Sequence, residues 1–217
     1  MKEIVDLADP RVATGDTPFC GKPAAIYYFA YGSNMNPEQL RARGVKPRQV
    51  GVARLLDHEV GFYGHSRTWD GAMETVIRSE FRDVWGVLYD LTYSGGDTLD
   101  VCQDARLDGS GTYFHYPTTV VDTAGTTHKV LLYKKDILGP PQLPSTEYLN
   151  FIIQGAVERG LPADYIEELR QKASRKAGVP VPLRSRFNLG LLLAGDCSQC
   201  GVAAPASPPS PKTSHTT

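Results

Sequence analysis

Strand-length apolar runs occupy residues 25–133 of this sequence, and long amphipathic helical patterns come only after them. The runs are short and are separated by polar or glycine-containing turns, which is typical of buried or half-buried strands. They cover residues 25–31, 50–56, 60–63, 73–77, 84–91, 113–121 and 128–133, with Gly125 in the last turn. Many strands followed by helices indicate an α+β domain with a mixed or closed sheet, not a regular strand–helix alternation.

Helix signals appear at two places. Behind the first strand, Asn36 is a predicted N-cap and Pro37 occupies the first helical position. Later, Ser145 predicts the start of a helix that ends at Gly160, and a second helix is predicted over residues 161–169. The apolar face predicted for the first of these later helices consists of Leu149, Ile152, Ile153, Ala156 and Val157.

Composition excludes several classes of protein. The 217 residues carry 23 lysines and arginines against 24 acids, so the formal net charge is −1. This balance argues against a nucleic-acid surface or a polybasic membrane patch. Apolar residues make up 41% of the chain, which is enough for a core, and no apolar run reaches the roughly 18 residues of a membrane helix.

Both ends of the chain look like additions to a central domain. Residues 1–24 show no periodicity and are interpreted as an N-terminal extension, and residues 196–217 are interpreted as a disordered tail rich in Pro, Ser and Thr. The domain itself is predicted over residues 25–195. The start lacks a secretory signal, and four cysteines do not make a disulfide scaffold, so a cytoplasmic location is expected. Cys197 and Cys200 are interpreted as a fortuitous pair, since a structural zinc site needs four ligands.

The turn Tyr31–Asn34, with the sequence YGSN, is the first candidate for chemistry. A strand that ends in Gly-Ser-Asn presents backbone N–H groups without bulky side chains, and Gly32 permits a positive φ and a close approach by a ligand. Successive amides of this kind can hold a carboxylate or a developing oxyanion. An ordinary turn, in which Asn34 bonds to its own backbone, is the alternative interpretation.

Several segments in order resemble one known family. They read YFAYGSNM, GVARLLDHEVGF, TWDGAMETVI, DVWGVLYDL and PSTEYLNFIIQGAVERGLPADYIEEL, and they run from about Tyr28 to Leu169. The order and the gaps resemble gamma-glutamylcyclotransferases. The resemblance implies a compact fold of mixed-sheet, barrel-like architecture with flanking helices. It also implies cleavage of a small gamma-glutamyl compound to 5-oxoproline and a free amine. It implies no metal and no cofactor, no nucleic acid or membrane as a partner, and it allows a homodimer.

The resemblance also implies where the substrate would bind. The loop would cradle the gamma-glutamyl group, one tyrosine would orient it through its hydroxyl, and another would line the pocket. The implied substrate-binding residues are Tyr28, Phe29, Ala30, Tyr31, Gly32, Ser33, Asn34, Tyr148 and Tyr113. From the residues alone, each of the last two tyrosines could equally be a core or rim residue.

The expected acid/base position departs from the family pattern. That pattern resembles Leu-Asp-x-x-Glu-Gly with the glutamate as general base, whereas this chain has Gln103 there, followed by Asp104. A carboxamide cannot accept and return a proton, so Gln103 cannot do that work. Asp104 is one candidate substitute if residues 98–104 form a helix that points it the same way. Glu74, on the strand that borders the site, is the other, although a solvated strand acid is the commoner outcome; the third possibility is that no competent base is present.

Three functions remain open on the sequence. The leading one is cyclotransfer on a gamma-glutamyl amine, and the altered acid position together with the longer loop at residues 105–111 favours a bulky substrate. Related enzymes occur in fungal clusters for sulfur-containing toxins, where they trim glutathione adducts, and such an adduct would suit both departures. The second is a non-catalytic protein that binds gamma-glutamyl ligands, since Gln103 would remove turnover but keep hydrogen bonding. The third is acyl or amine transfer without cyclisation.

Overall fold

In the part of the chain that the structure describes, a five-stranded closed barrel forms the centre, and a two-stranded sheet and four helices surround it. The computed structural model describes residues 27–106, 108–136 and 139–181. The predicted extension at residues 1–24, the predicted tail at residues 196–217 and the Cys197/Cys200 pair lie outside the described residues. The strands are β1 Tyr27–Ala30, β2 Arg48–Leu55, β3 His58–Ser66, β4 Gly71–Arg78, β5 Val84–Asp90, β6 Tyr113–Asp122 and β7 Thr127–Lys135. The helices are α1 Pro37–Ala42, α2 Tyr93–Gln103, α3 Thr146–Glu158 and α4 Ala163–Arg170.

The barrel has the strand order β1-β5-β2-β6-β7 and closes where β7 meets β1. The closing pair is parallel, with Tyr27 opposite Val130 and Tyr28 opposite Leu131, while the other pairs of the barrel are antiparallel. Closure pairs the edges that an open sheet would leave exposed. The α+β class with a mixed or closed sheet, predicted from the order of the strand and helix signals, is therefore confirmed, since the sheet is closed and includes one parallel pair.

Two helix starts follow the local sequence as predicted. The side chain of Asn36 accepts the Glu38 N–H at 2.9 Å, and Pro37 begins α1. The Ser145 hydroxyl accepts the Tyr148 N–H at 3.2 Å at the start of α3. Each cap satisfies a donor that the first helical turn leaves without a partner.

The inner face of α3 is buried with one exception. The first four residues of its predicted apolar face are buried, but Val157 is 49% exposed. The prediction for Val157 was wrong because eight residues at 100° per residue place it about 80° away from Leu149, at the edge of the buried stripe. Helix α3 packs against the 3₁₀ turn Ser33–Met35, so it supports the segment that follows β1.

None of the helices in the described part of the chain combines the length and the apolar composition that crossing a bilayer requires.

Candidate active site

The YGSN segment forms a buried turn between β1 and α1. Strand β1 ends at Ala30, and the 3₁₀ turn Ser33–Met35 follows Gly32 directly. Gly32 has φ −122°, so the positive φ that its sequence permits is not used. Close approach is used instead, because a Cβ on Gly32 would lie 1.9 Å from Oε1 of Glu74. Glycine is required here for space, not for conformational freedom.

The carboxylate of Glu74 lies directly over this turn. Its Oε1 accepts the backbone N–H of Ser33 at 3.0 Å, and its Oε2 accepts a hydrogen bond from the hydroxyl of Tyr148. The hydroxyl of Tyr113 donates to the backbone carbonyl of Glu74 at 3.0 Å. The structure thus brings together an amide of the YGSN turn, both predicted tyrosines and one of the two candidate acids. The backbone N–H of Ser33 donates to this carboxylate, whereas the N–H of Met35 donates to the Gly32 carbonyl within the turn.

Burial of Glu74 follows from how β4 is covered on both faces. Residues 71–76 are all buried, and Glu74 itself is 5% exposed. Its neighbour Thr75 points the other way and bonds through its hydroxyl to the main chain of Lys135 on β7. The alternation of side chains along a strand correctly places Glu74 and Thr75 on opposite faces of β4. Neither face is exposed to solvent at these two residues. The commoner outcome for a strand acid, exposure to water, is therefore overturned.

The space beside Glu74 is small. A cavity of about 10 Å³ lies among the side chains of the turn, β4, α2 and β6, which is room for about one water molecule. Its lining residues are Tyr28, Tyr31, Gly32, Asn34, Glu74, Gln103, Tyr113 and Tyr133. Phe29 and Ala30, also predicted to hold the substrate, are buried in the core and are not among these lining residues.

A buried network of amide side chains forms the wall opposite Glu74. Asn34 donates through Nδ2 to the Tyr28 hydroxyl at 2.9 Å. Its Oδ1 accepts from Nε2 of Gln39 at 2.8 Å and from Nη1 of Arg43 at 2.9 Å. The same Nη1 donates to Oε1 of Gln103 at 3.0 Å. This network fixes the side chains of Asn34 and Gln103 toward the cavity.

Sequence reasoning missed Gln39 and Arg43. Both belong to α1 or its C-terminal cap, and both are buried, although polar residues on a short helix are normally read as solvent-facing. The available signal was their spacing, since residues four apart share one helix face. That spacing does not indicate which face is inside.

Asp104 is directed away from the cavity. Helix α2 ends at Gln103, and Asp104 adopts a left-handed conformation with φ 46°. Its carboxylate accepts from the N–H and the hydroxyl of Thr112, each at 3.0 Å, and from Nε of Arg106 at 2.9 Å. These bonds join the two ends of the loop that follows α2. The predicted shared orientation of Gln103 and Asp104 is wrong because the helix does not continue through Asp104.

The ionisation of Asp104 fits this structural role. Burial raises the pKa of its carboxyl group, but the hydrogen bonds from Thr112 and the guanidinium of Arg106 outweigh that effect, so the pKa lies below its ordinary value. Burial also raises the pKa of the Tyr28 and Tyr31 hydroxyls well above their usual range. Both tyrosines therefore remain neutral at physiological pH and can act only as hydrogen-bonding groups.

Known proteins resemble this chain over most of the domain. Residues 83–169 match the AIG2-like family. The gamma-glutamylcyclotransferase of Homo sapiens is 33% identical over 152 residues, which are 67% of this chain and 78% of the human protein. This chain belongs to the gamma-glutamylcyclotransferase family. The bovine (Bos taurus) member is 32% identical over 149 residues, covering 67% of this chain and 77% of its own length.

Solved structures of the family share the fold. One described as gamma-glutamyl cyclotransferase superposes with a TM-score of 0.66 at 30% identity, covering 72% of this chain and 92% of its own. The resemblance inferred from the ordered sequence segments is thereby confirmed, as is the barrel-like family fold.

Within the described ranges 27–106, 108–136 and 139–181, no group of three His, Cys, Asp or Glu side chains is arranged to hold a metal ion.

Proposed function

We propose that this member of the family is a gamma-glutamylcyclotransferase that uses Glu74 as its general base and acid. The observation that carries the proposal is the position of the Glu74 carboxylate, which contacts the Ser33 amide and the Tyr148 hydroxyl inside a pocket also lined by Gln103. A carboxylate beside a backbone N–H donor supplies the two groups that ring closure requires, a proton acceptor and a partner for the developing oxyanion.

Substrate entry requires the Glu74 carboxylate to move away from the turn. With about 10 Å³ free, the pocket holds no glutamyl group while the carboxylate covers Ser33. A gamma-carbonyl that takes over the Ser33 N–H would release Oε1 of Glu74, and the Tyr148 hydroxyl would keep hold of Oε2. The released oxygen would then lie next to the bound substrate.

The reaction follows from these positions. The α-amino nitrogen of the substrate attacks its own gamma-carbonyl carbon, forming the ring C–N bond, while the Ser33 N–H stabilises the oxyanion. Glu74 takes a proton from the attacking nitrogen and returns it to the departing nitrogen as the original amide C–N bond breaks. The products are 5-oxoproline and a free amine, and no water is consumed. Because the nucleophile is part of the substrate, folding the substrate into the reactive shape supplies much of the rate enhancement.

A pair of conservative variants tests the role of Glu74. We expect Glu74→Gln to lower the rate of 5-oxoproline formation from gamma-glutamyl dipeptides by about 10²–10⁴-fold, since the side chain keeps its shape but loses the proton acceptor. Asp104→Asn, which alters an acid directed away from the pocket, should retain the parental rate. A full rate in Glu74→Gln would exclude Glu74 as the base.

A second candidate function is binding of gamma-glutamyl ligands without turnover. Gln103 favours it, because its carboxamide can bond to a ligand but cannot transfer a proton. A thermal-shift titration with gamma-glutamyl ligands, run beside the 5-oxoproline assay, separates the two functions. Stabilisation by ligand without any product would support binding alone, and a product that keeps its gamma-glutamyl group would support transfer without cyclisation.

A further inference from the structure

A second and much larger cavity lies next to the Glu74 pocket. Its volume is about 390 Å³, which is within the range of sites for small organic molecules. Four strands of the barrel, helix α2 and the segment between β5 and α2 enclose it. The lining residues are Tyr27, Tyr28, Asp90, Leu91, Thr92, Tyr93, Gly96, Asp97, Asp100, His115, Leu131, Leu132 and Tyr133.

The two cavities share a wall. Tyr28 and Tyr133 line both, and their rings meet edge to face with centroids 5.4 Å apart. Helix α2 also reaches both, because Asp100 lines the large cavity and Gln103, one turn later, lines the small one. The Tyr133 hydroxyl donates to Oδ1 of Asp100 at 2.6 Å, which fixes this wall. The large cavity therefore lies behind this wall, and a group that extends past Tyr28 and Tyr133 from a substrate held at Ser33 would enter it.

Tyrosine and leucine side chains make up most of the lining of the large cavity, and three aspartates complete much of the rest. Asp90 is paired with Arg48 at 2.7 Å, and Oδ1 of Asp100 lies 2.6 Å from Nε2 of His115. Asp97 adds a third carboxylate. Among the described residues that line this cavity, none is a lysine or an arginine, so an anionic ligand group would find no strong partner here. An apolar or aromatic group, including one that carries an ammonium, fits both the shape and the charge.

We propose that this cavity binds the amine portion of the gamma-glutamyl substrate, and that this portion carries a large apolar or aromatic group. The inference rests on the proposed function, because it places the glutamyl head at Ser33. The carboxylates favour the amine once it is released and protonated. The substrate class is then a gamma-glutamyl derivative of a bulky amine, in preference to one of a small amino acid.

Gly96 offers a way to fill the cavity without disturbing its walls. It lines the cavity on α2, and a Cβ added there meets no atom within 4 Å. Gly96→Phe should therefore occupy space that the ligand needs. Val101→Phe is the matched control, because it adds the same side chain to the same helix at a position that is 75% exposed and outside the cavity. Gly96→Leu repeats the test with a smaller side chain if Gly96→Phe does not fold.

The experiment compares gamma-glutamyl-phenethylamide with gamma-glutamyl-ethylamide on each protein, because neither amine portion carries a carboxylate. The preference is the ratio of KM values where 5-oxoproline forms, and the ratio of calorimetric Kd values where it does not. We expect the parent and Val101→Phe to prefer the phenethylamide at least tenfold, since burial of a phenyl ring supports a difference of that size. We expect Gly96→Phe to reduce the preference at least tenfold.

The outcomes separate this inference from the proposed function. A parent without the preference, or a Gly96→Phe variant that behaves like Val101→Phe, would overturn the cavity assignment even if 5-oxoproline forms. A preference in Kd that Gly96→Phe removes, without any 5-oxoproline, would support the cavity assignment and overturn cyclotransfer. Failure of the parent to bind or convert either compound would overturn both.

Discussion

The guanidinium of Arg43 donates from Nη1 to Oε1 of Gln103 at 3.0 Å, and both side chains are buried. The same nitrogen bonds to Oδ1 of Asn34 at 2.9 Å. Residue 103 occupies the place where the family pattern has its glutamate, so a buried cation here meets a neutral carboxamide. Glu74, which lines the same small cavity as Gln103, is the acid that we propose in its place.

This arrangement predicts that a glutamate at position 103 can replace Glu74 as the general base. In a Glu74→Gln background, Gln103→Glu should recover at least tenfold of the lost rate, because Arg43 would hold the new carboxylate at the cavity wall. Val101→Glu in the same background is the control, since it adds an acid to the same helix outside the cavity. Equal rates of 5-oxoproline formation in the two double variants would show that position 103 does not reach the substrate.

Arg43 should also contribute strongly to stability. Arg43→Met would remove the guanidinium donor to the buried amide oxygen of Gln103 and one of the two donors to that of Asn34, which would keep Gln39. We expect a loss of about 1–3 kcal/mol in the free energy of unfolding. Urea unfolding measures this loss. Arg48→Met removes an exposed ion pair to Asp90 and should change stability by less than about 1 kcal/mol. Similar losses in the two variants would contradict the importance of burial.

Asp104 should stabilise the fold in a pH-dependent way. Its folded pKa is lowered, so its stabilisation is complete above the ordinary pKa of about 3.9 and is lost as the pH falls through the folded value. At pH 7 we expect Asp104→Asn to lose about 1–3 kcal/mol, because charged hydrogen bonds to Thr112 and Arg106 are removed. The difference from the parent, measured by urea unfolding, should shrink below about pH 4. A difference that is constant from pH 7 to pH 3 would contradict this.

Two glycine-to-alanine variants in helices should have opposite effects. A Cβ on Gly155 of α3 would lie 2.6 Å from the backbone nitrogen of Asn36, so Gly155→Ala should destabilise by about 1–3 kcal/mol despite the better helix propensity of alanine. Gly96→Ala, where a Cβ meets no atom within 4 Å, should stabilise by up to about 1 kcal/mol. Thermal unfolding of both variants checks the contrast. A destabilised Gly96→Ala, or an unchanged Gly155→Ala, would contradict it.

Features that depend on neighbouring residues were predictable. The caps at Asn36 and Ser145 follow from bonds within one turn of chain, and the turn at Gly125 has the positive φ of 84° that its residue type favours. The order of strands and helices was enough to indicate an α+β domain with a mixed or closed sheet, whereas the barrel followed from the family resemblance. These features need no knowledge of what packs against them.

Features of the site that depend on distant contacts were not predictable. Glu74 looks like a surface acid until Ser33 and Tyr148 are brought to it from distant parts of the chain. Asp104 looked equivalent to Gln103 because the left-handed residue that ends α2 is an aspartate, where glycine is the usual signal. Local pattern could nominate both acids, but only the packing distinguishes them.

The bond between Glu74 and the Ser33 amide has a consequence for affinity measurements. The protein satisfies this donor with its own oxygen in the absence of a ligand, so in the reaction that we propose the substrate exchanges one acceptor for another. The number of hydrogen bonds at Ser33 is then equal in the free and bound states, and the contact contributes only the difference between the two partners. Tight association must accordingly come from other parts of the ligand, while the displaced carboxylate is left poised for proton transfer.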